Sequence, residues 1–139
     1  MIVGVLRVSS PAFDVKAFLT RFPGLEPETV WRRGEPRQPR GEHADSGFHR
    51  TIVEAETGGE AVAEASRALT AMGPALEELR RLAVPCVVDF GMFIGGARRF
   101  TGSLALSPGD LRWFAEQGVG VTVSAYPASD EEDAEPASH

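Results

Sequence analysis

Apolar residues change their spacing several times along the chain, and each change marks a predicted element. Ile2 to Val8 alternates apolar residues with Gly4 and others and predicts a strand. Asp14 then stands as N-cap to a short helix with Val15, Phe18, Leu19 and Phe22 on one side, stopped by Pro23-Gly24. Thr29 to Arg33 is β-prone and ends at Gly34. Residues 35–47 hold Pro36, Pro39, Gly41 and Gly47 among charges and read as a long loop. A strand resumes from Phe48 to Glu56, centred on Thr51, Ile52 and Val53.

The clearest helical stripe follows. Val62, Ala65, Leu69, Met72, Leu76, Leu79 and Ala83 recur at spacings of three and four. Gly73-Pro74 interrupts it; proline removes a backbone donor and clashes with the preceding turn, so a kink or two helices in series are expected. Beyond Pro85, Cys86, Val88, Phe90, Met92 and Ile94 share one face of a strand. Gly95-Gly96-Ala97 reads as the turn of a hairpin. A three-residue loop pairs Met92 with Phe100 and Val88 with Leu104, which keeps one face apolar. Ser107-Pro108-Gly109-Asp110 is a capping signal for a helix that stops at Gly118. Val119, Val121 and Val123 then form the inward face of a last strand that ends near Tyr126.

The predicted order is β-α-β-β-α-β-β-α-β. It predicts an α+β two-layer sandwich with helices on one face of a mainly antiparallel sheet, as a single domain over residues 1–127. In the hairpin register the other face displays Asp89, Gly91 and Phe93 beside Arg99, Thr101 and Ser103. Thr122, Ser124 and Tyr126 join from the last strand, with Arg7 from the first. An open sheet face is solvated by default. As a binding platform its anchors are Asp89, Phe93, Arg99, Thr101 and Tyr126, because arginine and aromatic residues carry most binding energy.

Charge alters this picture in two places. The net charge of −6 over 139 residues belongs to the end of the chain: Asp130, Glu131, Glu132, Asp133 and Glu135 are acidic, and no basic residue lies in 127–139. Without them, 14 basic face 15 acidic residues, a net of −1. Residues 128–139 are therefore expected to form a disordered acidic tail, and the near-neutral body argues against nonspecific nucleic-acid binding. The second place is the long loop. Arg32, Arg33, Arg37, Arg40 and Arg50 gather there among Glu35, Glu42 and Asp45, a net of +2 over residues 31–50. Arg33 and Arg37 are candidate grips for an acidic protein or ligand, since guanidinium holds carboxylate or phosphate through two hydrogen bonds.

Catalytic and cofactor signatures are not recognisable. His43, Asp45 and His49 form an H-x-D-x-x-x-H pattern with no cysteine near to complete a zinc site. Cys86 follows Pro85 in an apolar strand, where a buried structural thiol is the usual outcome. No G-x-S-x-G elbow is present, and Phe90 to Gly96 lacks the spacing of a nucleotide-binding loop. Glu77 and Glu78 fall on the polar side of the long helix and read as solvated. The single cysteine excludes an internal disulfide, and neither a signal peptide nor a membrane-spanning apolar run is evident; the expected location is the cytoplasm.

The run Gly24-Leu25-Glu26-Pro27-Glu28-Thr29-Val30-Trp31-Arg32-Arg33-Gly34-Glu35 resembles the signature of the domain of unknown function 4279 family. The closing Gly118-Val119-Gly120-Val121-Thr122-Val123 resembles that family's last strand, and Phe48 departs from it where many members have tryptophan. The resemblance would span residues 2–127. It brings no established activity; small bacterial domains of this kind are sometimes found as immunity or antitoxin-like proteins. Trp31 is expected to anchor the loop on the core, with stacking on a bound ligand as its alternative role as a binding residue, and Gly34 to relieve a positive-φ turn. The expected function is a non-catalytic interaction module with an unknown protein partner, or a homodimer through the sheet face. The alternative is a small-molecule or enzymatic domain around Asp89 and Arg99.

Overall fold

The computed structural model describes residues 1–95 and 102–127. Arg99, Thr101 and the acidic residues 128–139 lie outside the described residues.

The first strand, β1 (Ile2–Ser10), became the middle of the sheet because both of its edges are paired. Helix α1 (Val15–Arg21) begins where the Asp14 carboxylate accepts the Ala17 N–H at 3.1 Å, and it runs into a 3₁₀ turn, Pro23–Leu25. Next come the three-residue strand β2 (Thr29–Trp31) and β3 (Ser46–Ala55). The expected break at Gly73-Pro74 yields two helices in series, α2 (Gly58–Ala71) and α3 (Gly73–Arg81). β4 (Cys86–Ile94), α4 (Pro108–Glu116) and β5 (Val119–Pro127) complete the chain.

The five strands form one mixed sheet in the order β2-β3-β1-β4-β5. β2–β3, β3–β1 and β1–β4 are antiparallel, whereas β4 and β5 are parallel. The fold is therefore α+β, as the alternation of elements predicted, with one correction. The expected hairpin after β4 does not form. β1 pairs with β4 along one edge from Cys86 to Met92, and β5 pairs along the other from Cys86 to Ile94. A strand has two edges, so none is left for residues 102–104 opposite Phe90 and Val88. Parallel neighbours need a crossover of a dozen or more residues, and the stretch from Gly95 to Gly118 supplies it with α4 in the middle. Gly102 and Ser103 instead cross the inner side of the sheet: a Cβ on Gly102 would meet Met92, and one on Gly58 would meet the Ser103 carbonyl.

Period-two alternation places Ile2, Leu6 and Val8 of β1 with Val88, Phe90 and Met92 of β4 on the inner face. Phe48, Phe90 and Phe114 are fully buried there, beneath the α2–α3 stripe of Val62, Ala65, Leu69, Met72, Leu76 and Leu79. Phe18 of α1 stacks on Phe48 at 6.0 Å and joins Phe13 and Phe22 in a cluster at one end. A register shift between Gly4 and Val5 leaves Ile52 of β3 without a partner and reverses the parity of that strand. Phe48 and Arg50 point inward before it, Val53 and Ala55 after it. Gly4 faces Val53 so closely that a Cβ there would lie 2.7 Å from the valine. Val123 shares the inner face of β5, as expected, but is 51% exposed, because nothing described covers that end of the strand.

Candidate functional site

The outer face of the sheet carries a chain of polar contacts that crosses all five strands. Arg7 of β1 is its centre. Its neighbours in the register are His49 on β3 and Val87 on β4, with Asp89 one step along the same face. The guanidinium Nη1 lies 3.1 Å from His49 Nε2, and Nε lies 3.4 Å from Asp89 Oδ2. The other Asp89 oxygen accepts the Ser124 hydroxyl from β5 at 2.9 Å. Asp89 is largely covered, with 13% of its side chain exposed, whereas Arg7 keeps 40% of its side chain in solvent. Burial and the neighbouring Arg7 charge both lower the pKa of His49, which favours the neutral ring that can accept a hydrogen bond from the guanidinium N–H.

On the β2 side the chain continues through Trp31. Its indole meets His49 edge-on at 4.6 Å and stacks with His43 at 5.7 Å, and its Nε1–H donates to Asp45 Oδ1 at 2.8 Å. Gly47, opposite Trp31 in the register, makes this possible: a Cβ there would lie 2.8 Å from the indole and would collide with the Val8 carbonyl. Trp31 does anchor the long loop, but on the outer sheet face and not on the core as expected. The loop itself is a small folded hairpin. Gly34 N–H bonds His43 O and His43 N–H bonds Glu35 O, each at 2.9 Å, and Arg37 N–H reaches Gly41 O at 3.0 Å. Gly34 has the positive φ expected of it, +89°. Arg33 and Arg37 are exposed on this hairpin, and their guanidinium groups have no partner among the described residues.

At the other end of the face, Phe93 of β4 and Tyr126 of β5 stack at 5.4 Å. Gly91 makes room for the tyrosine, whose ring would lie 3.1 Å from a Cβ at that position. The structure thus brings Trp31, Asp89, Phe93 and Tyr126 onto one surface and leaves Arg33 and Arg37 off it. Two participants carry no signal of this role in the sequence. His49 reads there as a metal-ligand candidate, and its place opposite Arg7 follows only once β1 and β3 are paired. Ser124 shares the outer face by alternation but gains its role only beside Asp89.

The chemistry of this surface is that of a satisfied network. The Ser124 hydroxyl donates to a carboxylate and faces no base that would make it a nucleophile. No buried side-chain nitrogen or oxygen lacks a partner among the described residues. His43, Asp45 and His49 surround the indole, and no group of three or more His, Cys, Asp or Glu among the described residues could hold a metal ion. Cys86 is buried and burial pushes its thiol up to about 12, far from a reactive thiolate. One further sequence reading is corrected. Glu78 is not solvated but almost fully buried between Arg21 of α1, at 2.8 Å, and Arg81 of its own helix. A helical wheel cannot display a partner 57 residues away.

Three clefts lie elsewhere, two of them on the helix side and one beside Phe93 at the end of β4. None of the three is lined by Arg7, His49, Asp89 or Ser124. No described helix is long and apolar enough to cross a membrane. No protein-family model, no curated protein and no solved structure matches the chain, so the resemblance of residues 24–35 remains an expectation.

Proposed function

We propose that this protein is a non-catalytic interaction module that engages a protein partner through the outer sheet face between Trp31 and Tyr126. The observation that carries this reading is the polar chain itself. Arg7 holds its side chain in place through His49 and Asp89 yet leaves Nη2 without a partner among the described residues. Two aromatic groups, Trp31 with its histidines and Phe93 with Tyr126, flank it. A pre-ordered arginine between rigid aromatic anchors is the composition of an interface hot spot, and its fixed rotamer reduces the entropy lost on binding. An immunity or antitoxin-like role agrees with such a surface and rests on the family resemblance alone.

The alternative, a small-molecule or enzymatic site around Asp89 and Arg99, has less support. Ligand sites are concave and keep a few polar groups unspent. Asp89 gives one oxygen to Arg7 and the other to Ser124, and none of the three clefts described above includes it.

The test is affinity capture from lysate of the cells that make the protein, with mass spectrometry of what is retained. Wild type is compared with Arg7→Glu and Tyr126→Ala on the outer face, and with Arg67→Glu on the exposed side of α2. A stoichiometric partner held by wild type and Arg67→Glu, and lost by both outer-face variants, is the expected result. A partner retained by Tyr126→Ala and Arg7→Glu removes this face from the reading.

A further inference from the structure

The helix side of the sheet poses a separate question, because an arginine points into it. Arg50 is opposite Leu6 in the β3–β1 register, and Leu6 is 1% exposed, so Arg50 projects from the core face of β3. Four other arginines each have an acceptor. Arg7 has His49 and Asp89, Arg21 and Arg81 share Glu78, and Arg80 donates to the Gln117 carbonyl at 2.8 Å. Arg50 is only partly exposed, yet its guanidinium makes no hydrogen bond or ion pair with any described residue. No nitrogen of Arg50 is buried without a partner, so solvent reaches its donors, and an incoming anion can take up two of them in a fixed geometry.

A cleft of about 470 Å³ opens above it. Phe22 and Leu25 form one wall, Ala71 and Met72 at the α2–α3 junction form the other, and Arg50 lies on the floor with Arg21 at the rim. The volume falls within the roughly 300–1,000 Å³ of small-molecule sites. The lining includes no carboxylate, and its two charged members are both cationic. Arg21 is already committed to Glu78, which leaves Arg50 as the group that selects charge.

We infer that this cleft binds an amphiphilic monocarboxylate, with the carboxylate on Arg50 and a compact apolar body between the α1 wall and the α2–α3 junction. Planar guanidinium matches a carboxylate through two parallel hydrogen bonds, and small apolar walls suit an aliphatic body. A polyphosphate would leave most of its charge against apolar walls, and a neutral ligand would leave Arg50 as it is. The same chemistry is offered by a free organic acid or by the C-terminal residue of a peptide. The site lies on the opposite side of the sheet from the interaction face, and neither reading depends on the other.

The experiment is a titration of the ¹⁵N-labelled full chain with octanoate and with octanamide, followed by amide shifts. A peptide ending in leucine is then added in its acid and amidated forms. Saturable shifts centred on Leu25, Ala71 and Met72 are expected, with octanoate preferred to octanamide by about tenfold or more, as a charge-assisted hydrogen bond implies. Arg50→Gln brings acid and amide to parity. Ala71→Phe, an exposed position that fills the cleft from outside, abolishes both, and each variant keeps the wild-type thermal midpoint. A tighter peptide acid assigns the carboxylate to a chain terminus, and a tighter octanoate assigns it to a free acid. Parity of acid and amide in the wild type, for octanoate and peptide alike, overturns the proposal. So do shifts confined to another surface, or an acid preference that survives Arg50→Gln.

Discussion

Ala83 sits where a helix ordinarily recruits glycine. α3 ends in a Schellman arrangement: Ala83 N–H bonds Arg80 O at 3.1 Å and Val84 N–H bonds Leu79 O at 3.0 Å. This forces Ala83 to φ +55°, the left-handed region in which a Cβ costs about 1 kcal/mol. α4 closes on Gly118, at φ +74°, without that penalty. Ala83→Gly is therefore expected to stabilise the protein by about 0.5–1 kcal/mol, with part of the relief offset by the greater freedom of glycine in the unfolded chain. The measurement is the urea midpoint, read with an unchanged m-value. A lower midpoint would mean that the left-handed turn carries no strain worth removing. The sequence ranked Ala83 as the last residue of an apolar stripe; a helix end is a backbone event, and alanine there carries no composition signal.

Elements with local causes were legible, and elements with distant causes were not. The capping box of α4 is local: Ser107 Oγ accepts Asp110 N–H at 3.0 Å, and Asp110 Oδ2 accepts Ser107 N–H at 2.9 Å. Four residues state it in full. α4 buries only Phe114 completely, so it depends on its own start more than α2 does. Ser107→Ala is expected to cost about 1 kcal/mol, and amide exchange in residues 108–118 should quicken before the rest of the chain responds. Uniform loss across the sheet instead would show α4 to be part of one cooperative unit. The parallel β4–β5 pair was illegible for the converse reason: which edge is vacant depends on β1, far away in sequence, and Gly95-Gly96-Ala97 looks like a turn wherever the chain goes next. The face assignment of Asp89, Phe93, Ser124 and Tyr126 survived that error because period two fixes sides whatever the partner. Much of the candidate site was thus readable, but the contacts of Arg7 with His49 and Asp89 needed the pairing.

At the scale of the whole molecule, two titrating groups tie distant segments together and make stability depend on pH in one direction. Glu78 links α3 to α1 through Arg21, and its pKa is lowered first by the hydrogen bond from Arg81 and also by the charges of both arginines, against burial. His49 links β3 to β1, and burial followed by the Arg7 charge lowers its pKa as well. For both groups the folded value lies below the unfolded one, so the unfolded chain takes up the proton first as pH falls. The stability they contribute is complete above the ordinary values, 6.5 for His49 and 4.5 for Glu78, and is lost as pH drops through each folded value. Wild-type urea midpoints should therefore decline in two stages, one beginning near pH 6.5 and a second beginning near pH 4.5. His49→Gln removes the first stage and Glu78→Gln the second, while Glu78→Gln starts from a lower midpoint at neutral pH because Arg21 and Arg81 lose their shared anion. A midpoint that rises between pH 7 and pH 5, or a Glu78→Gln profile parallel to wild type down to pH 3, would contradict these assignments. The first stage also bears on function: protonated His49 sets a second cation against Arg7, so a partner that needs the ordered arginine should be released as pH falls through the lowered value of His49, even while the fold persists.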